Sequence, residues 1–334
     1  MTGAVVRVGT AGWDYPDWRG VVYPAKRSKQ RDELEYLSRF FDTVEVNASF
    51  YRPADPKAAA GWVRKVAGNP RFRFTAKLWR RFTHERSSAW TADEVRAARA
   101  AFDVLQDAGC LGAVLLQFPW SFKRDEASAE WLRDLLGAFS AFPLAVEVRH
   151  ASWIAPTEPG SAQRSQRGRS KEPSEGPRPI DGDLASELEE RGVGIVNVDQ
   201  PMFRRSIAPA ARVTGAIGYV RLHGRNYRDW FREKATRDER YDYLYTREEL
   251  EPWVARIREI AARPQTREVY AVTNNHVIGK APANGAMIES MLSGRKVRVP
   301  PALFARYREA LEPFALPDPG DDGELFARGG HRAD

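Results

Sequence analysis

Leu144-Ala145-Val146-Glu147-Val148-Arg149-His150 is an apolar run into which two opposite charges are set two residues apart. Successive side chains of a β-strand point to opposite faces, so Glu147 and Arg149 share one face while Val146 and Val148 share the other. The same sorting recurs along the chain. Thr43, Glu45 and Asn47 oppose Val44 and Val46, and Thr75 and Lys77 oppose Phe74 and Ala76. Gln117 closes a fourth segment, Asn197 and Asp199 align in a sixth, and Tyr219, Arg221 and His223 align in a seventh. An eighth ends in Asn274-Asn275.

Working outward, the β-branched and aromatic runs predict eight strands at 5–9, 43–50, 72–78, 112–118, 144–150, 194–199, 217–224 and 268–274. Most of the stretches between them carry helical spacing, as in Val95, Ala98, Phe102 and Leu105, or Leu250, Trp253, Ile257 and Ile260. Thr91-Ala-Asp-Glu94 has capping-box spacing ahead of its helix. Repeated strand–helix units imply a parallel sheet, because parallel strands need a crossover connection. Eight of them predict an α/β fold, a TIM-type (β/α)8 barrel. An open doubly wound sheet is the alternative, with 200–214 the weakest connection. No glycine-rich phosphate loop follows an early strand, which counts against a dinucleotide fold, and no cofactor is expected.

The 334 residues suit one such barrel with insertions, which typically takes about 250. The expected domain is 1–315, with a mobile Pro/Gly/Ser/Arg-rich insertion at 156–180 and a disordered tail at 316–334. One cysteine, Cys110, excludes an internal disulfide framework. The start of the chain carries no secretory pattern and no run is long enough to span a bilayer, so a cytoplasmic protein is expected. The net charge is +7. The tail carries −3, leaving +10 on residues 1–315, a surface that attracts anions.

Helices cover the outside of a barrel, so the apolar strand faces point outward and the polar faces point in, near the C-terminal mouth where barrel active sites lie. Glu45 or Glu147 is the expected general base, with Lys77 or His223 as acid or electrophile. Asn47, Gln117, Arg149, Asp199, Arg221 and Asn275 are expected to orient a ligand. Trp13 and Tyr51 stand at the rim to stack on it, and Arg52 and Arg225 to grip phosphate or carboxylate. The bland alternative is a buried ion-pair layer that satisfies itself. A metal held by Glu147, Asp199 and His223 is disfavoured by Lys77, Arg149 and Arg221 beside them, and no metal is expected.

The chain resembles the YecE-like family, domain of unknown function 72. The resemblance is carried by Gly9-Thr-Ala-Gly-Trp13, Glu45-Val-Asn47 with Phe50-Tyr51-Arg52, and Phe74-Thr-Ala-Lys77 with Thr83-His84. Gln117-Phe-Pro119, Glu147-Val-Arg-His150, Arg221-Leu-His-Gly-Arg225, Tyr241-Asp-Tyr243 and Asn274-Asn275 complete it. Departures are Ala11, Ala48-Ser49, Thr273 and the long insertion. The resemblance implies a TIM barrel similar to the sugar-isomerase and apurinic-endonuclease group. The expected partner is an anionic small molecule, acted on by lyase, isomerase or hydrolase chemistry. Nucleic acid bound or cleaved is the second expectation, and a non-catalytic metabolite-binding regulator the third.

Overall fold

The computed structural model describes residues 3–25, 32–154, 184–230 and 232–320. Eight parallel strands close into a barrel in sequence order: β1 (Val5–Ala11), β2 (Thr43–Val46), β3 (Arg73–Lys77), β4 (Leu111–Gln117), β5 (Leu144–Glu147), β6 (Gly194–Asp199), β7 (Ile217–Leu222) and β8 (Glu268–Thr273). This is the (β/α)8 architecture, and the open-sheet alternative falls. Several strands stop short of the residues expected of them. At Asn47 the chain turns from β2 toward a short helix, Ala48–Tyr51, so Phe50 and Tyr51 stand above the strand end instead of extending it.

Register explains which side chains fill the barrel, because hydrogen-bonded partners point the same way. Ala11 pairs with Glu45, Glu45 with Thr75 and Thr75 with Ala113. Gln117 pairs with Glu147, and Val198 pairs with Arg221, which pairs with Val272. A small apolar cluster of Ala113, Leu115, Ala145, Val196, Val198, Tyr219, Tyr270 and Val272 packs the interior. Val44, Val46, Phe74, Val114 and Leu116 face the larger outer core with the helices. Thr91 forms the expected capping box on Ala92–Asp107, which buries Ala98, Phe102 and Leu105.

One strand reads the other way round. In β6 the valines Val196 and Val198 belong to the interior cluster, so Asn197 and Asp199 point outward. The cause lies in the connection that follows. Residues 200–216 carry no helix, so β6 is backed by irregular chain whose amide groups need partners. Asn197 supplies them: its Oδ1 accepts from Arg212 N at 2.8 Å and its Nδ2 donates to Arg212 O at 2.9 Å.

Beyond the barrel, β9 (Val297–Val299) pairs with β10 (Ala315–Pro317), and Arg39 bonds Asp318 at 2.8 Å. The boundary expected at Leu316 therefore falls inside a small sheet. The insertion at 156–180 and the rest of the tail lie outside the described residues. Among the described residues no helix is long and apolar enough to cross a membrane.

Candidate functional site at the barrel mouth

A layer of charge is sealed just below the C-terminal mouth. Glu45, Glu147, Arg221 and His223 are all 0 % exposed. Arg221 joins the two carboxylates: Nη2 donates to Glu45 Oε1 at 2.7 Å and Nη1 to Glu147 Oε2. Tyr219 Oη donates to Glu45 Oε2 at 2.9 Å and lies 2.8 Å from Thr75 Oγ1. Arg149 Nε donates to Glu147 Oε1 at 3.0 Å, and Lys77 Nζ stands 3.6 Å from Glu45 Oε1. Burial pushes the Glu147 carboxyl up, yet Arg221 and Arg149 outweigh it and hold the group well below the usual carboxylate range.

His223 sits at the centre of this layer without adding charge. Burial first, then Arg221 and Arg149, lower its pKa to about 3, so the ring is neutral at physiological pH. Asn274 Nδ2 lies 2.8 Å from His223 Nδ1. On its other side Nε2 faces Arg149 Nη2 at 3.3 Å, Arg221 Nη1 at 3.4 Å and Glu147 Oε1 at 3.5 Å. Among the described residues the layer thus sets two carboxylates beside three cations, Arg221, Arg149 and Lys77.

Above the layer opens a cavity of about 320 Å³. Its walls are Lys77, Asn47, Gln117 and Asn274, the aromatic rings of Phe50, Tyr51 and Tyr241, and the side chains of His84, Arg80 and Arg240. Among the described residues no carboxylate lines it. Both polar atoms of the Asn47 amide are shielded and unbonded. Arg80 is held by Glu85 at 2.7 Å, and Tyr241 packs edge-on against Trp230 at 5.8 Å. Carboxamides beside cations and flat rings can bond hydroxyls, hold an anion and stack on a sugar or base.

The structure gathers most of the expected residues but not all. Asn47, Tyr51, Lys77 and Gln117 line the cavity, and Glu45, Glu147, Arg149, Arg221 and His223 form the layer beneath it. Asp199 and Arg225 do not join them. They bond each other bidentately at 2.9–3.2 Å on the outer side of β6, and Arg225 also reaches Glu249 at 3.5 Å. Gly224, at φ +90°, makes the turn that carries Arg225 away from His223. The trio of Glu147, Asp199 and His223 is not assembled, since Asp199 leaves the opposite face of its strand.

Asn275 also points outward, bonding Tyr243 O and Asn284, while Asn274, in phase with Val272, faces in. Trp13 packs edge-on against Trp62, and Arg52 is exposed beyond the rim. Among the described residues six further side chains line the cavity beyond those expected from sequence: Phe50, Arg80, His84, Arg240, Tyr241 and Asn274. Phe50, His84, Tyr241 and Asn274 lie in the family motifs. Asn274 is also legible from strand parity, whereas Arg80 and Arg240 sit in helices of four and five residues, Arg80–Thr83 and Arg237–Tyr241, too short to give a periodic signal.

Comparison with known proteins accords with this picture. The model of the family "Protein of unknown function DUF72" matches residues 7–164 and 179–306. The UPF0759 protein YunF of Bacillus subtilis (strain 168) is 26% identical over 297 residues, covering 86% of this chain and 95% of that protein. A DUF72 family protein (TM1631) from Thermotoga maritima MSB8 superposes with a TM-score of 0.70 at 29% identity, covering 86% of this chain and 99% of that one. Another (EF0366), from Enterococcus faecalis V583, shares the fold with a TM-score of 0.68 at 21% identity, over 86% and 96% of the two chains. With a family match running through nearly all of the barrel and the barrel itself shared with solved relatives, the chain belongs to the DUF72 family.

Proposed function

We propose that the barrel mouth binds a small anionic molecule, phosphorylated or sugar-containing, and performs acid–base chemistry on it in the cytoplasm. The observation that carries this reading is a cavity whose described walls bring Lys77, Arg80 and Arg240 together with carboxamides and aromatic rings and hold no carboxylate. Lys77, Arg80 and Arg240 converge on the cavity, and an anionic ligand seated over Lys77 gains from all three cations at once. Asn47, Gln117 and Asn274 then orient the ligand's hydroxyl or carbonyl groups. Tyr51 and Tyr241 cover it.

The roles expected of the carboxylates shift accordingly. Glu45 and Glu147 are enclosed and bonded to arginine, so they set the field under the ligand instead of taking its proton. His223, equally enclosed, fixes Asn274. Lys77 keeps its expected role and reaches the ligand as an electrophile.

The test is calorimetry with sulfate and inorganic phosphate at low ionic strength. Both anions should bind the wild type, Lys77→Met should weaken them at least tenfold (about 1.4 kcal/mol), and Arg225→Met should leave them unchanged. The reading fails if neither anion binds or if Lys77→Met binds as tightly as the wild type. Affinity for an oligonucleotide that is steeply salt-dependent and survives Lys77→Met would instead favour nucleic-acid binding through the positive surface.

A further inference from the structure

We infer that His84 is the group that exchanges a proton with the ligand, and that anion binding switches on its basicity; this rests on the anion-binding reading above. His84 follows the short helix Arg80–Thr83 and lines the cavity. Its ring is fixed from two sides. Nδ1 lies 2.9 Å from the hydroxyl of Thr83, itself fully buried, and the ring meets Phe50 edge-on with centroids 4.9 Å apart. Among the described residues Nε2 makes no hydrogen bond, which leaves it available to the cavity. Glu45, Glu147 and His223 are sealed below, so among the described residues the acid–base groups at the cavity are His84, Lys77 and the phenols of Tyr51 and Tyr241. Of these the imidazole is the one whose ordinary range lies near neutrality.

The charges around His84 determine when it acts. Lys77 from β3, Arg149 beyond β5, and Arg80 and Arg86 from its own segment all bear on it, and Arg240 and Tyr241 line the same cavity. The adjacent acid, Glu85, is held by Arg80. Burial, then Arg149, Arg80, Lys77 and Arg86, bring the imidazole down to about 4, so without ligand it is neutral and a weak base. An anion seated over Lys77 cancels much of the cationic field and restores basicity. The ring Nε2 then takes a proton from an acidic O–H or C–H of the bound molecule. The electron pair left behind, as alkoxide or enolate, lies beside the Lys77 ammonium, and the new imidazolium beside the ligand's anionic group.

Linkage gives the test. If the anion raises the basicity of His84, protonating His84 must tighten the anion by the same factor. The chain has five histidines, so histidine-labelled NMR resolves each titration, with His84→Gln assigning its signal. Saturating sulfate, whose charge is constant between pH 4 and 8, should raise the His84 midpoint by at least about one pH unit. Its affinity by calorimetry should rise at least about twofold from pH 8 to pH 5, a rise lost in His84→Gln. If His84→Gln does not fold, Phe50→Leu assigns the signal by its ring-contact shift, and the wild-type titration alone decides. Sulfate that binds while the His84 midpoint stays put overturns the inference and leaves the anion reading standing. Absence of binding overturns both.

Discussion

Two sets of charges leave the strand ends of this barrel, and their sums differ in sign. Outside the wall, Arg225 answers two carboxylates, gripping Asp199 and reaching Glu249. Inside, Glu45 and Glu147 answer three cations, Arg221, Arg149 and Lys77. Glu249 and Arg225 are partly exposed, so water settles the outer excess. The inner layer is nearly sealed, and among the described residues its cations outnumber its carboxylates, with Lys77 in the wall of a cavity rather than in bulk solvent. The presence of charges at strand ends therefore says little about function. What distinguishes the regions is whether a closed cluster balances itself.

The largest effect should come from removing the residue that ties the inner layer together. Arg221→Met takes from two buried carboxylates the guanidinium that joins them, leaving Lys77, Arg149, Tyr219 and His223 beside them, and should cost about 3–5 kcal/mol in urea unfolding. A cost near zero would mean the layer relaxes to water and is not the sealed device described here. Acid should expose the same region nearly as strongly. His223 has a folded value of about 3 against an ordinary 6.5, and His84 about 4, so the unfolded chain takes up these protons first. Stability is then lost as pH falls below about 6.5, at up to about 1.4 kcal/mol per pH unit for the sealed His223 ring and by less for His84, which water partly screens, until each folded value is passed. Glu147 adds to the loss below the ordinary carboxylate range, because its folded value is depressed. Unfolding free energies at pH 7, 5.5 and 4.5 check this, and a flat profile that His223→Gln does not alter would count against a neutral buried ring.

Alternation alone revealed the barrel and most of the inner layer, because strands backed by helices must turn their apolar side outward. It failed at β6, where the following connection has no helix and the outer face is polar for that reason. Val196 and Val198 then point in, and Asp199 is lost from the site. The parity of a strand end is readable where the strand is unambiguous: Val272 and Asn274 share the inner face, which puts Asn275 outside. Residues above the strands were hidden for another reason. Arg80 and Arg240 reach the cavity from single-turn helices, Arg80–Thr83 and Arg237–Tyr241, whose placement follows from tertiary packing and not from local periodicity. His84 lay in a family motif, but its role emerges only once Lys77, Arg149 and Phe50 are seen around it.

The comparison is sharpest when one cation is removed from each region. Arg225→Met strips Asp199, buried at 1 % exposure, of a bidentate partner. Water can reach the vacated position because the Arg225 side chain is 29% exposed. A loss of about 2 kcal/mol follows from one charged acceptor left poorly bonded. Lys77→Met should behave otherwise. Glu45 keeps Arg221 at 2.7 Å and Tyr219 at 2.9 Å, the thioether chain fills much of the volume of the lysine stem, and the layer becomes neutral. Stability should then stay within about 1 kcal/mol of the wild type, or rise, while sulfate binding collapses. Thermal unfolding of the two variants beside the wild type decides it. Should Lys77→Met lose as much stability as Arg225→Met, the lysine is a structural partner of Glu45, and its charge no longer argues for a ligand.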